Sequence, residues 1–183
     1  MDRFRDEKGG DSRNLFKRRS RKQAKQEKTE VKPVEEPLRL FLSYSHKDKA
    51  HKDIFVDNLT VMQQKQFIAP WHDGLIMPGT RWKQEIEENL LKMHVFVGLL
   101  TTAFLASHFI QTVELKAARA KHGMTGGDFL FVLILVDDVP LDGLDLAEYQ
   151  ILKPSGKAVT QHVNRRAGFD RAQAELEYLF KNR

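Results

Sequence analysis

The sequence predicts a doubly wound α/β domain whose five parallel strands follow the order 2-1-3-4-5. Two runs, VFVGLL (residues 95–100) and FLFVLILV (129–136), are apolar throughout, which is typical of strands buried on both faces. Amphipathic helical patterns separate the apolar runs, as in a parallel sheet covered by helices on both sides. The second strand, FIAPW (67–71), contains Pro70. Proline cannot donate to a β-ladder, so this strand is expected at a sheet edge.

The remaining elements follow in chain order. LRLFLSYS, from Leu38, predicts the first strand and a polar loop after it. Apolar residues at helical spacing predict three helices, marked by Phe55, Leu59 and Met62, by Trp82, Ile86 and Leu90, and by Phe169, Ala172, Leu176 and Phe180. HDGLIMPGT (72–80) has the glycine and proline punctuation of an exposed loop. KAVT (157–160) is predicted to be the last short strand.

Length and composition exclude several classes of protein. A chain of 183 residues has the size of one domain. It contains no cysteine, which rules out a disulfide framework, a thiolate metal site and a cysteine nucleophile. The longest apolar run is eight residues, whereas a membrane span needs roughly 20, and the start lacks the apolar core of a signal peptide. We therefore expect a soluble, cytoplasmic protein.

Positive charge is concentrated near the start of the chain. Between Arg13 and Lys28, eight lysines and arginines face one glutamate, giving a net charge of +7. Residues 1–37 hold too few large apolar side chains to offset the entropy of ordering. They are predicted to be a basic tail, disordered or partly helical, that ends in a proline-containing linker, followed by a folded domain over residues 38–183. The tail is either a solubilising segment or an arm that recruits nucleic acid or an acidic partner protein.

The stretch SHFIQTVE (107–114) predicts a helix with a polar stripe. Ser107, Gln111 and Glu114 stand at i, i+4 and i+7, beside an apolar stripe that includes Ile110. A carboxylate at the edge of a buried face costs free energy unless it is satisfied or used. The alternative is a solvated Glu114 paired with Lys116 or Arg119.

Four motifs occur together in order. They are FLSYSHKD (41–48), WHDGLIMPGTRW (71–82), SHFIQTVELKAA (107–118) and KPSGKAVT (153–160). Together they closely resemble a bacterial Toll/interleukin-1 receptor (TIR) domain, over roughly residues 38–183. The resemblance implies a flavodoxin-like fold. It also implies that residues 72–80 form a loop through which TIR domains contact one another, with Asp73, Gly74, Pro78 and Gly79 as its candidate assembly residues.

The resemblance also implies an activity. A subset of TIR domains cleaves NAD at the nicotinamide glycosidic bond, and these carry a glutamate where Glu114 stands. The resemblance therefore implies an NAD+ glycohydrolase or cyclase with NAD+ as substrate, no cofactor and no metal, activated by self-association or a partner, in bacterial antiviral defence. Nicotinamide leaves without a general acid, so one carboxylate near the developing oxocarbenium ion is the main requirement. It could also orient the ribose hydroxyls or form a transient covalent adduct. The alternative is a non-catalytic adaptor that acts through TIR–TIR assembly.

Ligands of open α/β sheets bind outside the carboxyl ends of the strands, at the switch point of the strand order. Here that rule indicates the loop after the first strand, with Ser43, Tyr44 and Ser45, and the loop around Asp73. Ser107 and the catalytic candidate Glu114 complete the wall, and the resemblance adds Trp82 to the candidate substrate-binding residues. Tyr44 either stacks on a ring of the substrate or packs its own loop. The resemblance places Trp82 near the cleft, whereas its spacing with Ile86 favours a core position.

Other features near the candidate site leave its details open. Phe109 and Ile110 stand where several enzymatic relatives have Trp or Cys, so the mode of nicotinamide binding stays open. His46 and His72 are expected to be solvated loop residues rather than ligands. The product, the activating signal and the active oligomer also stay open.

Two other proteins share parts of this pattern. A phosphorelay receiver shares the strand order, but here the first strand ends in Ser-Tyr-Ser rather than an acidic pair, and the third ends in Leu-Leu-Thr without a phosphoacceptor aspartate. A nucleoside deoxyribosyltransferase shares the fold and the use of a glutamate. The loop from Asp73 to Gly79 favours the TIR interpretation.

Overall fold

A parallel sheet lies at the centre of the fold. The structure, a computed structural model, describes residues 36–125, 128–142, 146 and 149–182. Its strands are β1 (Leu38–Ser43), β2 (Ile68–Trp71), β3 (Val95–Leu100), β4 (Leu130–Leu135) and β5 (Gln150–Leu152). They pair in parallel in the order β2-β1-β3-β4-β5. The predicted fold class, strand order and edge position of the proline-containing strand are confirmed.

Helices cover both faces of this sheet. They are α1 (Lys49–Gln64), α2 (Trp82–Lys92), α3 (Thr102–Leu105), α4 (Leu115–Thr125) and α5 (Arg165–Lys181). On one face, Phe55 and Leu59 of α1 and Phe169 of α5 are fully buried with the sheet. On the other face, Ile86 of α2 and Leu115 of α4 do the same. The continuous apolar strands follow from this double coverage, because neither face meets water.

The pairing of β1 with β3 positions the residues at the base of the candidate active site. Ser43, the last residue of β1, stands opposite Gly98 of β3. A Cβ at Gly98 would lie 2.6 Å from Leu133 Cδ2 and 2.9 Å from Phe104 Cζ. A glycine is therefore needed for α3 to approach the sheet closely. This approach brings the segment that follows α3 beside the end of β1.

The prediction for the last strand is wrong. The fifth strand is Gln150–Leu152, whereas Val159–Gln161 forms a short 3-10 turn. The segment resembles a strand in sequence because it contains Val159, an apolar residue that is buried in the fold. The backbone N–H and the hydroxyl of Thr160 both donate to the carbonyl of Val136, each at 3.0 Å. These hydrogen bonds tie the segment to the chain just beyond the end of β4, and it does not pair in the sheet.

The predicted tail falls almost wholly outside the described residues, which begin at Glu36. Its disorder and its boundary with the domain at Leu38 stay predictions. Among the described helices, none has both the length and the apolar character that a membrane crossing requires.

Candidate active site

A cleft of about 370 Å³ opens at the carboxyl end of the sheet. Its lining residues are Tyr44, Ser45, His46, Lys47, Asp73, Trp82, Ala103, Ala106, Ser107, Phe109, Ile110 and Glu114. They come from the loops that follow β1, β2 and β3 and from the start of the α4 segment. The seven predicted catalytic and substrate-binding residues are therefore brought together, with one difference. Ser43 lies behind the wall of the cleft, where it contacts Glu114.

A π-helical turn positions Glu114. Residues Ile110–Glu114 form this turn and run directly into α4, with the N–H of Leu115 donating to the carbonyl of Ile110. Ser107 starts the segment, because its carbonyl accepts from the N–H of Gln111 at 3.0 Å. The extra residue in the turn departs from regular helical spacing. Ser107 and Glu114 both line the cleft, but Gln111, predicted on the same stripe, is not among its lining residues.

Glu114 is buried at the base of this cleft. Its exposed fraction is 6%, and its Oε2 accepts a hydrogen bond from the Ser43 hydroxyl. Burial raises the pKa of Glu114 from 4.5 to about 7. The Asp73 carboxylate adds to this rise, while the Ser43 hydrogen bond and His46 oppose it. The alternative of a solvated, ion-paired Glu114 is therefore wrong, and the carboxyl is instead held near the protonation boundary at neutral pH.

A contact between two loops borders the cleft. Asp73 begins a short turn after β2, and its carboxylate makes a hydrogen-bond contact with Nε2 of His46. The other carboxylate oxygen of Asp73 is buried and makes no hydrogen bond to the described residues. Burial, followed by the interaction of the Tyr44 hydroxyl with Asp73, raises the pKa of Tyr44. Asp73 thus joins the candidate assembly loop to the opposite wall of the cleft.

The packing of Tyr44 favours one of its two predicted roles. Its ring lies 6.3 Å from the ring of His72, edge to face, and Lys52 Nζ lies 5.8 Å from its centre. Tyr44 therefore packs its own loop as well as lining the cleft. The expectation that His72 is solvated is wrong. His72 is buried, and burial followed by the charge of Lys52 lowers its pKa.

Two aromatic rings form one wall of the cleft. Trp82, the first residue of α2, has its ring centre 4.7 Å from that of Phe109. Trp82 is 41% exposed, so the core position favoured by its spacing is wrong. The first turn of a helix that starts at the domain surface leaves one side of the ring uncovered. The resemblance drew attention to Phe109 near the site without giving it a role, and Lys47 was not identified, because it belongs to no spacing pattern.

The candidate assembly loop presents apolar side chains to solvent. Leu75 is 53% and Met77 is 71% exposed, and Gly74, Pro78 and Gly79 are exposed beside them. Gly79 has φ of +91°, a conformation that favours glycine. Exposed apolar side chains on a loop of this kind are typical of a contact surface. Within the described residues, no group of three or more acidic or histidine side chains is arranged to hold a metal ion.

Comparison with known proteins identifies the family. The family model described as TIR domain matches residues 40–175, a span that contains the whole lining of the cleft. The uncharacterized protein y4lF of Sinorhizobium fredii (strain NBRC 101917 / NGR234) is 23% identical over 122 residues. The matched region covers 67% of this chain and 37% of that relative, so the chain spans little more than a third of the relative's length. Since the family model covers most of the chain, and the sheet order and site follow the resemblance seen in the sequence, the protein belongs to the TIR domain family.

Proposed function

We propose that this TIR domain is an NAD+ nucleosidase that releases nicotinamide. The observation that carries the proposal is Glu114, a carboxyl buried to 6% exposure in the cleft at the carboxyl end of the sheet. In a structural ion pair, a buried carboxylate would face a cation. Here the charges that act on the pKa of Glu114 come from Asp73 and His46, with no lysine or arginine among them. A carboxylate of this kind is suited to stabilise a positive charge that develops in the cleft.

The chemistry requires one anionic group. The bond between the ribose C1′ and the nicotinamide nitrogen breaks, and its electron pair stays on the nitrogen, so neutral nicotinamide leaves. The Glu114 carboxylate stabilises the oxocarbenium ion that remains. Water then adds to C1′ and loses a proton to give ADP-ribose, or a nitrogen of the adenine ring adds instead to give a cyclic product. Glu114, with a pKa of about 7, is suited to accept the proton of the water.

The other lining residues supply binding contacts in this proposal. The paired rings of Trp82 and Phe109 offer an apolar, planar surface to the nicotinamide ring. Lys47, on the opposite loop, brings positive charge to the side where the diphosphate of the substrate would lie. Asp73 and Ser107 are placed to contact ribose hydroxyls, and Ser45 holds the first turn after β1 through its carbonyl, which accepts from the N–H of Asp48 at 2.7 Å.

Self-association through residues 72–80 is part of the proposal. Leu75 and Met77 lie exposed on a loop that also supplies Asp73 to the cleft, so contact between copies would act on the site directly. Activity per molecule should then rise with protein concentration, and variants of Gly74 or Pro78 should lower assembly and activity together. The same exposed side chains favour the alternative of a non-catalytic adaptor, which would assemble at high concentration without consuming NAD+.

Two further proposals rest on the sequence and the resemblance. The basic stretch from Arg13 to Lys28 recruits nucleic acid or an acidic partner, and binding through it should weaken with salt and with deletion of residues 1–37. The family resemblance supports a role in bacterial antiviral defence, by NAD+ depletion or by a cyclic signal. NAD+ consumption by the purified protein is the first measurement for the second proposal, whereas the binding measurements test the first.

The test of the proposed activity is the substitution Glu114→Gln, with Glu177→Gln as the matched control. Gln nearly preserves the shape of Glu and removes its charge. Losing one positioned charge should raise the barrier by roughly 3 kcal/mol, about 100-fold in rate or more. Glu177 lies on α5, on the other face of the sheet, and its variant should cleave NAD+ at the wild-type rate. A folded Glu114→Gln protein with full activity would end the catalytic interpretation.

A further inference from the structure

Ser43 is a polar residue at the end of an otherwise apolar strand. β1 reads LRLFLS, and Ser43 is 1% exposed between its sheet neighbours. Its hydroxyl donates to Oε2 of Glu114, 71 residues further along the chain. Because Ser43 is not among the residues that line the cleft, it does not share the direct access to substrate that Tyr44 and Ser45 have.

The bond acts on a carboxyl that burial would otherwise keep neutral. Burial is the largest influence on the pKa of Glu114 and raises it, and the charge of Asp73 raises it further. The Ser43 hydrogen bond works in the opposite direction, because a donated proton stabilises the charged oxygen more than the neutral one. A lysine or arginine would have the same effect but would also neutralise the negative charge. A neutral hydroxyl favours the ionised form and leaves that charge available.

The hydrogen bond from Ser43 also fixes the orientation of the Glu114 carboxylate. β1 is paired on both sides, with β2 and with β3, so the Ser43 hydroxyl is held by the most constrained part of the sheet. Glu114, in contrast, lies on a π-helical turn, a local departure from the regular helix that is frequent at functional sites. With Oε2 tied to Ser43, Oε1 is the oxygen available to the cleft.

We propose that Ser43 is a positioning residue, whose buried hydroxyl favours the ionised form of the Glu114 carboxyl and turns it toward the cleft for NAD+ cleavage. The proposal rests on the proposed function and assigns to Ser43 a role through Glu114 rather than contact with substrate. A role of this kind predicts an effect on kcat, with KM unchanged.

The experiment compares the full-length wild type with Ser43→Ala in two measurements. The first is the pH dependence of kcat for NAD+ cleavage between pH 5 and 9. The second is the titration of the Glu114 side-chain carboxyl by ¹³C NMR, with Glu114→Gln used to assign its resonance. We expect Ser43→Ala to lower kcat at pH 7 by roughly 10-fold to 100-fold, since a lost hydrogen bond to a charged group has about that effect. The acid limb of the rate profile and the midpoint of the titration should both move to higher pH.

A matched control separates this role from a general loss of a buried hydroxyl. Thr101 is also fully buried, and its hydroxyl donates to Asp48 at 2.6 Å. Thr101→Val should leave the titration of Glu114 where it is in the wild type. If Ser43→Ala does the same, the proposal is overturned, whatever the activity shows. A rise in KM without a fall in kcat would also overturn it, because Ser43 would then contact substrate. If the titration moves but the wild type does not cleave NAD+, the proposed function fails and the link between Ser43 and Glu114 stands.

Discussion

The helical segments on the two faces of the sheet each carry a glutamate, in opposite environments. Glu177 lies on the regular helix α5 with a side chain 22% exposed, and it accepts a bond from Lys181, one turn later, at 2.6 Å. That bond lowers the pKa of Glu177. Glu114 lies on a π-helical turn, is 6% exposed, and takes its bond from a neutral serine. Burial raises its pKa to about 7.

The difference shows what a carboxylate contributes in each setting. The charge of Glu177 is solvated and paired, so it adds a little to helix stability and has no further consequence. The charge of Glu114 is desolvated and only partly compensated, so its ionised form costs free energy in the folded state. A residue with a purely structural role would not retain such a cost. A cost of this kind at the base of a cleft indicates a functional group.

The largest expected effect is on the pH dependence of activity. If the ionised form of Glu114 is required, the rate of NAD+ cleavage should fall below a pH of about 7, the pKa of that carboxyl. For a single ionisation with this pKa, the ionised fraction falls from about one half at pH 7 to about 1% at pH 5, so the rate should fall roughly 50-fold. Glu177→Gln should show the same profile as the wild type. A rate that stays constant from pH 5 to 8 would contradict the assignment.

The next effect is on stability. Between pH 4.5 and about 7 the folded protein keeps a proton on Glu114 that the unfolded chain releases, so stability falls as pH rises through this window, and the cost persists above it. Removing the charge should therefore stabilise the fold. We expect Glu114→Gln to raise the free energy of unfolding at pH 8 by up to about 3 kcal/mol, and to change it little at pH 4. Urea unfolding at the two pH values measures this difference, and an unchanged stability at pH 8 would show that the charge is not costly.

The sequence predicted the fold well where the pattern itself carries the physical cause. The run VFVGLL became β3 (Val95–Leu100) without a shift, because apolar side chains on both faces are what a central parallel strand requires. The rule for strand ends placed Tyr44, Asp73 and Glu114 around one cleft. The last strand was misplaced because residues 157–160 include buried apolar side chains, which occur both in a strand and in a turn that packs inward.

The parts that failed depend on contacts between distant segments. Regular helical spacing grouped Gln111 with Glu114, whereas the π-helical turn separates them. A turn of this kind is rare and occurs mostly as a single turn inside an α-helix, so regular helical spacing does not anticipate it. The burial of His72 and the bond from Ser43 to Glu114 likewise depend on which loops meet. For the bond from Ser43, the only local indication in the sequence was the position of a serine at the end of an apolar strand.

The smallest expected effect is on the stability of the control variant, Glu177→Gln, and it tests whether Glu177 behaves as a solvated, paired carboxylate. Glu177→Gln removes the pair with Lys181 and should lower the free energy of unfolding at pH 7 by about 0.3–0.5 kcal/mol. Because the pKa of Glu177 is lowered in the fold, this contribution is present above the carboxyl's ordinary pKa and is lost as pH falls through the lowered one. It should also shrink in about 1 M salt, which screens an exposed pair. Urea unfolding of both glutamine variants at low and high salt checks this. If Glu177→Gln stabilised the fold as much as Glu114→Gln, glutamine itself rather than the release of a buried charge would explain both results.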